Sequence, residues 1–458
     1  MPETDLVRLD MKLSTESYRY RVPIKFGGRV VDDVKLINVE AAGETRGGQR
    51  VNFAQGGFGS MTLGVAWAWP SPHLSDQQRL DVVCRLAERL VEDVVTHPHT
   101  GHPLEICHAQ SLRRPAIAQQ VAEEFGLTEP IPPLAILLAA SPIEAALFDV
   151  HGKALGKSSF ELLGQPYVSS DLSTYLGPKY RGLYLDRFVT AKPQASMPLY
   201  HLVGALDPLV ESDVITPAGD GYPETLQQWI VRDGLTHLKI KLAGDDHDWD
   251  VQRVIGTHTA ATSAAPAQRF TYSLDFNERC ESEAYVLSLL DELAGRSPDA
   301  LACIAYIEQP THRDLAAHPE NTMHRVAERL PVVIDESLVD LQSLRLAIEQ
   351  GYSGVALKAC KGHAEALLMA AVAQHEGFYL CVQDLTCIGA SLLHSASLAA
   401  HIPGVAAIES NGRQYCPAGN RPWYDDYRGM FEVRDGRLPT ACLDEPGLGY
   451  RISRRMNG

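Results

Sequence analysis

HLKIKL, residues 237–242, is the first of five short apolar runs that carry a charged side chain at their downstream end. The others are YSLDFNE (272–278), YIEQP (306–310), VVIDES (332–337) and VALKACK (355–361). Their anchors, Lys241, Asp275, Glu308, Asp335 and Lys358, follow one another at steps of 34, 33, 27 and 23 residues. A parallel strand, its crossover helix and the next strand take about 30 residues. Charged groups that end consecutive parallel strands meet at one rim of a barrel, the rim where active sites of such barrels form. The spacing therefore predicts a barrel with Lys239, Lys241 and Lys358 set among three acids.

Outward from this block the same rhythm continues. Strands are predicted at 199–203, 236–242, 270–275, 302–308, 332–335, 354–358, 378–383 and 405–409, with helical stretches between them. Two of those stretches, 341–350 and 363–375, are followed by Gly351 and Gly377, as helix C-caps would be. Eight strands alternating with helices indicate a (β/α) barrel of the α/β class. Upstream, 7–20, 34–41 and 51–53 read as strands, and Ser75–His97 as an amphipathic helix with Leu80, Val83, Leu86, Leu90 and Val94 on one face. Ser141-Pro142-Ile143-Glu144 reads as a helix start, with Gly156 as its stop. Residues 167–197 have no clear period and read as an excursion or lid rather than core. After the last strand, a Gly/Pro-rich segment and a hairpin at 431–439 suggest a β-rich end. His97, His99, His102 and His108 lie close together but lack carboxylate or thiolate partners at ligand spacing, which favours a solvated loop over a metal site.

Composition narrows the function. A formal charge of −16 opposes broad binding to nucleic acid or anionic membranes. The first ten residues are polar and acidic, unlike a secretory leader, and no uninterrupted apolar run reaches the roughly 18 residues of a membrane helix. Nine scattered cysteines with no CxxC pair are expected to be reduced thiols of a cytoplasmic protein.

The five anchors define a chemistry. Asp275, Glu308 and Asp335 on successive strands form a hard, anionic oxygen cage that suits Mg²⁺ better than zinc; alternatively they cap helices or pair with lysines. Lys239 and Lys241, two apart on a strand, share a face. Each ammonium lowers the other's pKa, so one can act as a base near neutral pH. Lys358 would approach from the opposite side. A carboxylate substrate at such a rim loses its α-proton to a lysine, and the resulting enediolate is held by the surrounding positive charge. A barrel lysine can instead form a Schiff base, and a barrel can bind a ligand without turning it over.

With these motifs in order, the chain resembles the enolase superfamily, and within it the mandelate racemase/muconate lactonizing enzyme family with the lysine pattern of the muconate lactonizing enzymes. Ala146-Leu147-Phe148-Asp149, Gly152–Gly156, Glu161–Gly164 and Pro446–Gly449 add to the likeness. The resemblance implies a modified (β/α)8 barrel, (β/α)7β, covered by an α+β cap built from both chain ends. The expected division is 1–140 for the N-terminal cap, 141–420 for the barrel and 421–458 for the segment returning to the cap. Lys241 would be one acid/base with Lys239 as its electrostatic partner, Lys358 the opposite-face acid/base or cation stabiliser, and Asp275, Glu308 and Asp335 the Mg²⁺ ligands. Asn277, Glu336, Asp384 and Glu409 would touch the substrate or support the ligands. A racemase, epimerase or cycloisomerase acting on a small carboxylate is implied, with a sugar-acid dehydratase as the alternative and a homo-oligomer as the assembly. Specificity would come from 18–28 and 61–69 of the cap; Arg21, Lys25 and Arg413 read first as ordinary surface cations and second as receivers of a distal anionic group. The seventh strand departs from the mandelate racemase pattern: Gln383 and Asp384 end it, without a histidine.

Overall fold

A computed structural model describes residues 1–26, 29–97 and 100–452. Eight parallel strands close into a barrel in the order of the chain. Numbered in chain order after the four strands of a separate antiparallel sheet, they are β5 (Met197–Val203), β6 (His237–Lys241), β7 (Thr271–Asp275), β8 (Ile304–Glu308), β9 (Val332–Ile334), β10 (Gly354–Lys358), β11 (Tyr379–Gln383) and β12 (Val405–Glu409). Tyr200 of β5 pairs with Glu409 of β12, which joins the two edges and leaves no free one. Helices fill the seven connections, from Leu226–Asp233 to Ala390–His401, and no ninth parallel strand follows β12 among the described residues. The architecture is a (β/α)7β barrel with an added cap, as the spacing of charged strand ends predicts.

The antiparallel sheet consists of β1 (Leu6–Phe26), β2 (Arg29–Thr45), β3 (Arg50–Val51) and β4 (Gly57–Thr62), with β2 in its centre. Helices α2 (Asp76–Thr96) and α5 (Pro133–Leu155) pack on it, and the short α1 (Val65–Ala68), α3 (Pro103–Ser111) and α4 (Arg114–Glu124) pack against those two. Glycine lets β4 lie against α5: a Cβ on Gly59 would fall 1.8 Å from the Pro142 carbonyl oxygen, and one on Gly57 2.3 Å from that of Ala146. The chain end returns to the same place. Leu448 N–H donates to Asp149 at 2.8 Å, and the Tyr450 hydroxyl donates to the Phe58 carbonyl.

Several expectations change. Helix α5 begins at Pro133, so Pro142 lies inside it rather than at its start. Proline removes the N–H that would bond the Leu138 carbonyl; the Ser141 hydroxyl donates to that carbonyl instead, at 2.9 Å, and the helix continues. It ends at Gly156 in the left-handed conformation, as expected. By length and composition α5 is apolar enough to cross a membrane, but 83% of its most apolar stretch is buried against the rest of the protein. Residues 167–197 form no lid: Val168, Leu172, Leu176, Tyr180 and Leu185 are buried in the main core. Residues 424–431 are helical, and the predicted terminal hairpin shortens to the turn at Asp435-Gly436, closed by an antiparallel Arg434–Arg437 bridge, with β13 (Arg437–Leu438) paired antiparallel with β5. His99 lies outside the described residues. His97 is exposed, as expected, but His102 is buried, accepts the Leu104 N–H at 3.1 Å and packs edge-on against His151. The nine cysteines are free thiols, six of them buried, and Cys442 is exposed.

Candidate active site

Alternation along the strands builds the rim in layers. Tyr200, Tyr306, Val333, Ala356, Cys381 and Ala407 form an apolar layer inside the barrel. Side chains two positions further along a strand face the same way, which places Glu308, Asp335, Lys358, Gln383 and Glu409 one layer above it. Pairing between strands sets Lys241 beside Asp275, Asp275 beside Glu308, and Lys358 beside Gln383. Every one of these charged groups is buried.

The acids and lysines interlock. Lys239 Nζ lies 3.0 Å from Asp275, 2.8 Å from Glu308 and 3.2 Å from Glu409. Lys241 donates to Asp275. Lys358 Nζ donates to Asp335 at 2.7 Å, and Lys361 Nζ lies 3.2 Å from the same carboxylate. Gln383 Nε2 donates to Glu308 at 2.5 Å. Strained turns hold the strand ends: Asn277, Glu278 and Gln309 all have positive φ. Asn277 N–H donates to Asp275 at 2.9 Å, and the Gln309 side-chain oxygen accepts the Asp335 and Ser337 N–H groups.

Sequence reasoning missed Lys361 and Gln383. Lys361 stands three residues beyond Lys358 across a single 3₁₀ turn, so its spacing carried a usable signal. Gln383 carried one too, as the polar end of an apolar strand. The other expected contacts divide. Glu336 is buried, with Asn277 Nδ2 3.4 Å from one of its oxygens and no partner for the other among the described residues. Asp384 accepts backbone N–H groups of Thr386 and Asn411, which makes it part of the loops' hydrogen-bond network. Glu409 takes Lys239 and the Asn411 amide. Of the three cations suggested for a distal anion, Arg21 is held by Asp220, and Arg413 is buried between Asp233 and His201. Lys25 alone of the three lines a cleft of about 430 Å³ that opens on Lys241, with Leu206, Trp249, Asn277 and Arg279. The cap segment 18–28 reaches this cleft through Lys25; its last two residues, Gly27 and Gly28, lie outside the described residues.

Six carboxyl groups at this rim (Asp275, Glu308, Asp335, Glu336, Asp384 and Glu409) face four ammonium groups, and the protonation pattern reflects the deficit. Burial works against the Lys239 charge, but Asp275, Glu308 and Glu409 hold its pKa well above the ordinary lysine value. The lowering expected from paired ammoniums is thus outweighed there by the acids. Burial also opposes ionisation of Asp275 and Asp335, yet Lys239 and Lys241, and Lys358 and Lys361, carry them well below the usual carboxylate range. Glu308 goes the other way, driven well up by burial and then by Asp275. Burial pushes Glu336 and Asp384 to about 7, with Asp335 and Glu409 adding to it. Two positive charges are what such a rim lacks, and three strand-end carboxylates are the hard oxygen donors that Mg²⁺ prefers. The residues fit the ion. In this geometry each acid is held by a lysine or a glutamine. Among the described residues, the one trio of possible metal ligands within 4.8 Å of each other is elsewhere, at His247, Asp248 and Glu292.

A family profile described as Enolase C-terminal domain-like matches residues 221–456. The chain belongs to the enolase C-terminal domain-like family. The N-succinylamino acid racemase of Thermus thermophilus is 27% identical over 262 residues, which span 56% of this chain and 63% of that enzyme. Solved family folds superpose along nearly the whole length. An N-succinyl Arg/Lys racemase from Bacillus cereus gives a TM-score of 0.62 at 18% identity, covering 98% of this chain and 95% of that one. A dipeptide epimerase from Enterococcus faecalis, complexed with Mg and L-Leu-L-Tyr, gives 0.59 at 16% identity, covering 97% and 99%. In this family setting, the charged strand ends of β6 to β10 and the added cap form one architecture.

Proposed function

We propose that the chain is a Mg²⁺-dependent isomerase, a racemase, epimerase or cycloisomerase, that removes the α-proton of a small carboxylate substrate. One observation carries it: Lys241 ends β6 and Lys358 ends β10, four strands apart in an eight-stranded closed barrel, with the three acids on β7, β8 and β9 or just beyond it. The two lysines therefore stand on opposite sides of the mouth. Mg²⁺ held by Asp275, Glu308 and Asp335 would supply the positive charge that acidifies a proton next to a carboxylate. Lys241 removes the proton on one face, and Lys358 returns one on the other or steadies the enediolate charge. Lys239 sets the potential around Asp275 and Glu308, and Gln383 orients Glu308. In the same reading, residues 1–140 and 421–458 form the cap that shapes specificity, residues 141–420 form the catalytic barrel, and α5 bridges the two.

The named relatives make N-succinylamino acids and dipeptides the first substrates to try. Lys25 favours members of those classes with a second anionic group. Dehydration of a sugar acid draws less support, since Glu409 is engaged by Lys239 and the Tyr-rich segment 167–197 is packed into the core. The test is α-proton exchange in D₂O, followed by NMR over pooled N-acylamino acids, dipeptides and sugar acids with Mg²⁺. Exchange that needs Mg²⁺ and disappears in Lys241→Ala supports the reading, and product mass separates isomerisation from loss of water. Mg²⁺ binding without exchange in any pool would sink it.

A further inference from the structure

We propose, on the reading of the rim given above, that Trp67 of the cap is a substrate-positioning residue: its ring face fixes the Lys358 ammonium and its indole N–H donates to an oxygen of the bound carboxylate. The ring centroid lies 4.6 Å from Lys358 Nζ and 5.7 Å from Lys361 Nζ. Both distances are within the range over which an ammonium is drawn to an indole face. The side chain is only 6% exposed, and its Nε1 has no acceptor among the described residues. Buried indole N–H groups almost always find a partner. A substrate carboxylate bound beside Lys358 and Lys361 supplies the missing acceptor. Trp69 makes the contrast, because its N–H is spent on Glu129 at 2.8 Å.

The backbone beneath the ring is clamped from three sides. Arg313 donates to the Trp67 carbonyl at 3.1 Å while gripping Glu278, in the loop after β7. Arg79, wholly buried, donates to the carbonyls of Val65 and Trp69. Gly64 sits so close to Leu385, in the loop after β11, that a Cβ there would meet its side chain at 2.6 Å. The Thr62 hydroxyl donates to the Leu385 carbonyl at 2.8 Å. An indole held this way has a fixed position over Lys358, as a positioning group requires.

The protein labelled with 5-fluorotryptophan tests this. The chain has five tryptophans, and the Trp67 resonance is the one lost in Trp67→Phe. It should move in Lys358→Met, and move again in the unmutated protein when Mg²⁺ and N-succinyl-L-leucine or L-Leu-L-Tyr are added. A resonance that stays put in either comparison overturns the proposal, whether or not any proton exchange is found. With a substrate that does exchange, Trp67→Phe should raise KM about tenfold and leave kcat within about twofold, because a hydrogen bond is lost while a ring remains. Trp67→Leu should also lower kcat, by about tenfold. Unchanged KM and kcat in both variants would contradict it. If no pool exchanges in the unmutated protein, the isomerase reading fails and the fluorine shifts alone decide on Trp67.

Discussion

Lys239 is the residue on which the rim's charge balance turns. Its ammonium touches three carboxylates carried by three different strands, and it is buried. Removing one partner from a buried ionic network leaves the others uncompensated, at a cost of about 3–5 kcal/mol. Lys239→Met should therefore destabilise the protein by about 3 kcal/mol in EDTA. Mg²⁺ should recover part of that loss, since the freed Asp275 and Glu308 oxygens are among those proposed to bind it. Urea unfolding with and without Mg²⁺ measures both quantities. An equal loss in the two buffers would mean that the acids do not bind the ion. Lys241 is a different case, paired at Asp275 at the edge of the cleft, so its loss should reach activity before stability.

At the scale of elements, the tightest join is between β4 and α5. A methyl group on Gly59 would collide with backbone, which cannot move aside as a side chain can. Gly59→Ala should cost about 3 kcal/mol or more, the upper range for overpacking. Gly295, in the helix Glu283–Arg296, has open space where a Cβ would stand, with no atom within 4 Å, and no positive φ. Gly295→Ala should stabilise by about 0.5 kcal/mol through helix propensity and a less free unfolded chain. Thermal unfolding of both variants checks the pair, and a mild effect at Gly59 would refute the close packing. The barrel strands were legible in the sequence because each is a short apolar run closed by a charge, a local pattern. So were α2, through its apolar face, and the Gly156 stop. The start of α5 was not, because Pro142 normally opens a helix and its repair by the Ser141 hydroxyl leaves no trace in hydropathy. Segment 167–197 misled for a related reason: its buried Tyr180 and Leu185 come from one-turn helices too short to show a period. Lys239, Lys241, Asp275, Glu308, Asp335 and Lys358 were placed together by spacing alone. Trp67 was not, since its link to Lys358 runs across 291 residues of chain and depends on how cap meets barrel.

The whole molecule carries two opposed sets of buried titrating groups. His151, His237, His394 and His401 are pushed down to about 4 by burial, and burial takes His102, His201 and His363 well below the ordinary value too. Below about pH 6.5 the unfolded chain takes up protons that these folded imidazoles refuse, so stability falls as pH drops toward 4. The rim acids work in the other direction. Glu336 and Asp384, raised to about 7, and Glu308, raised well up, hold protons that the unfolded carboxyls have already released, so without a cation stability falls as pH rises from about 4 through 7. Histidines outnumber these acids, so the metal-free protein should be most stable near pH 6.5, with a shallow decline above it. Mg²⁺ at the rim would displace those protons and remove the decline. The rise in Tm on adding Mg²⁺ should therefore grow with pH, to about twice as large at pH 8 as at pH 5.5. Calorimetric scans with Mg²⁺ and with EDTA across that range measure it. A rise that stays level with pH would show that the rim carboxyls are already ionised without the ion, and the count of six acids against four ammoniums would then have to be balanced by some other positive charge.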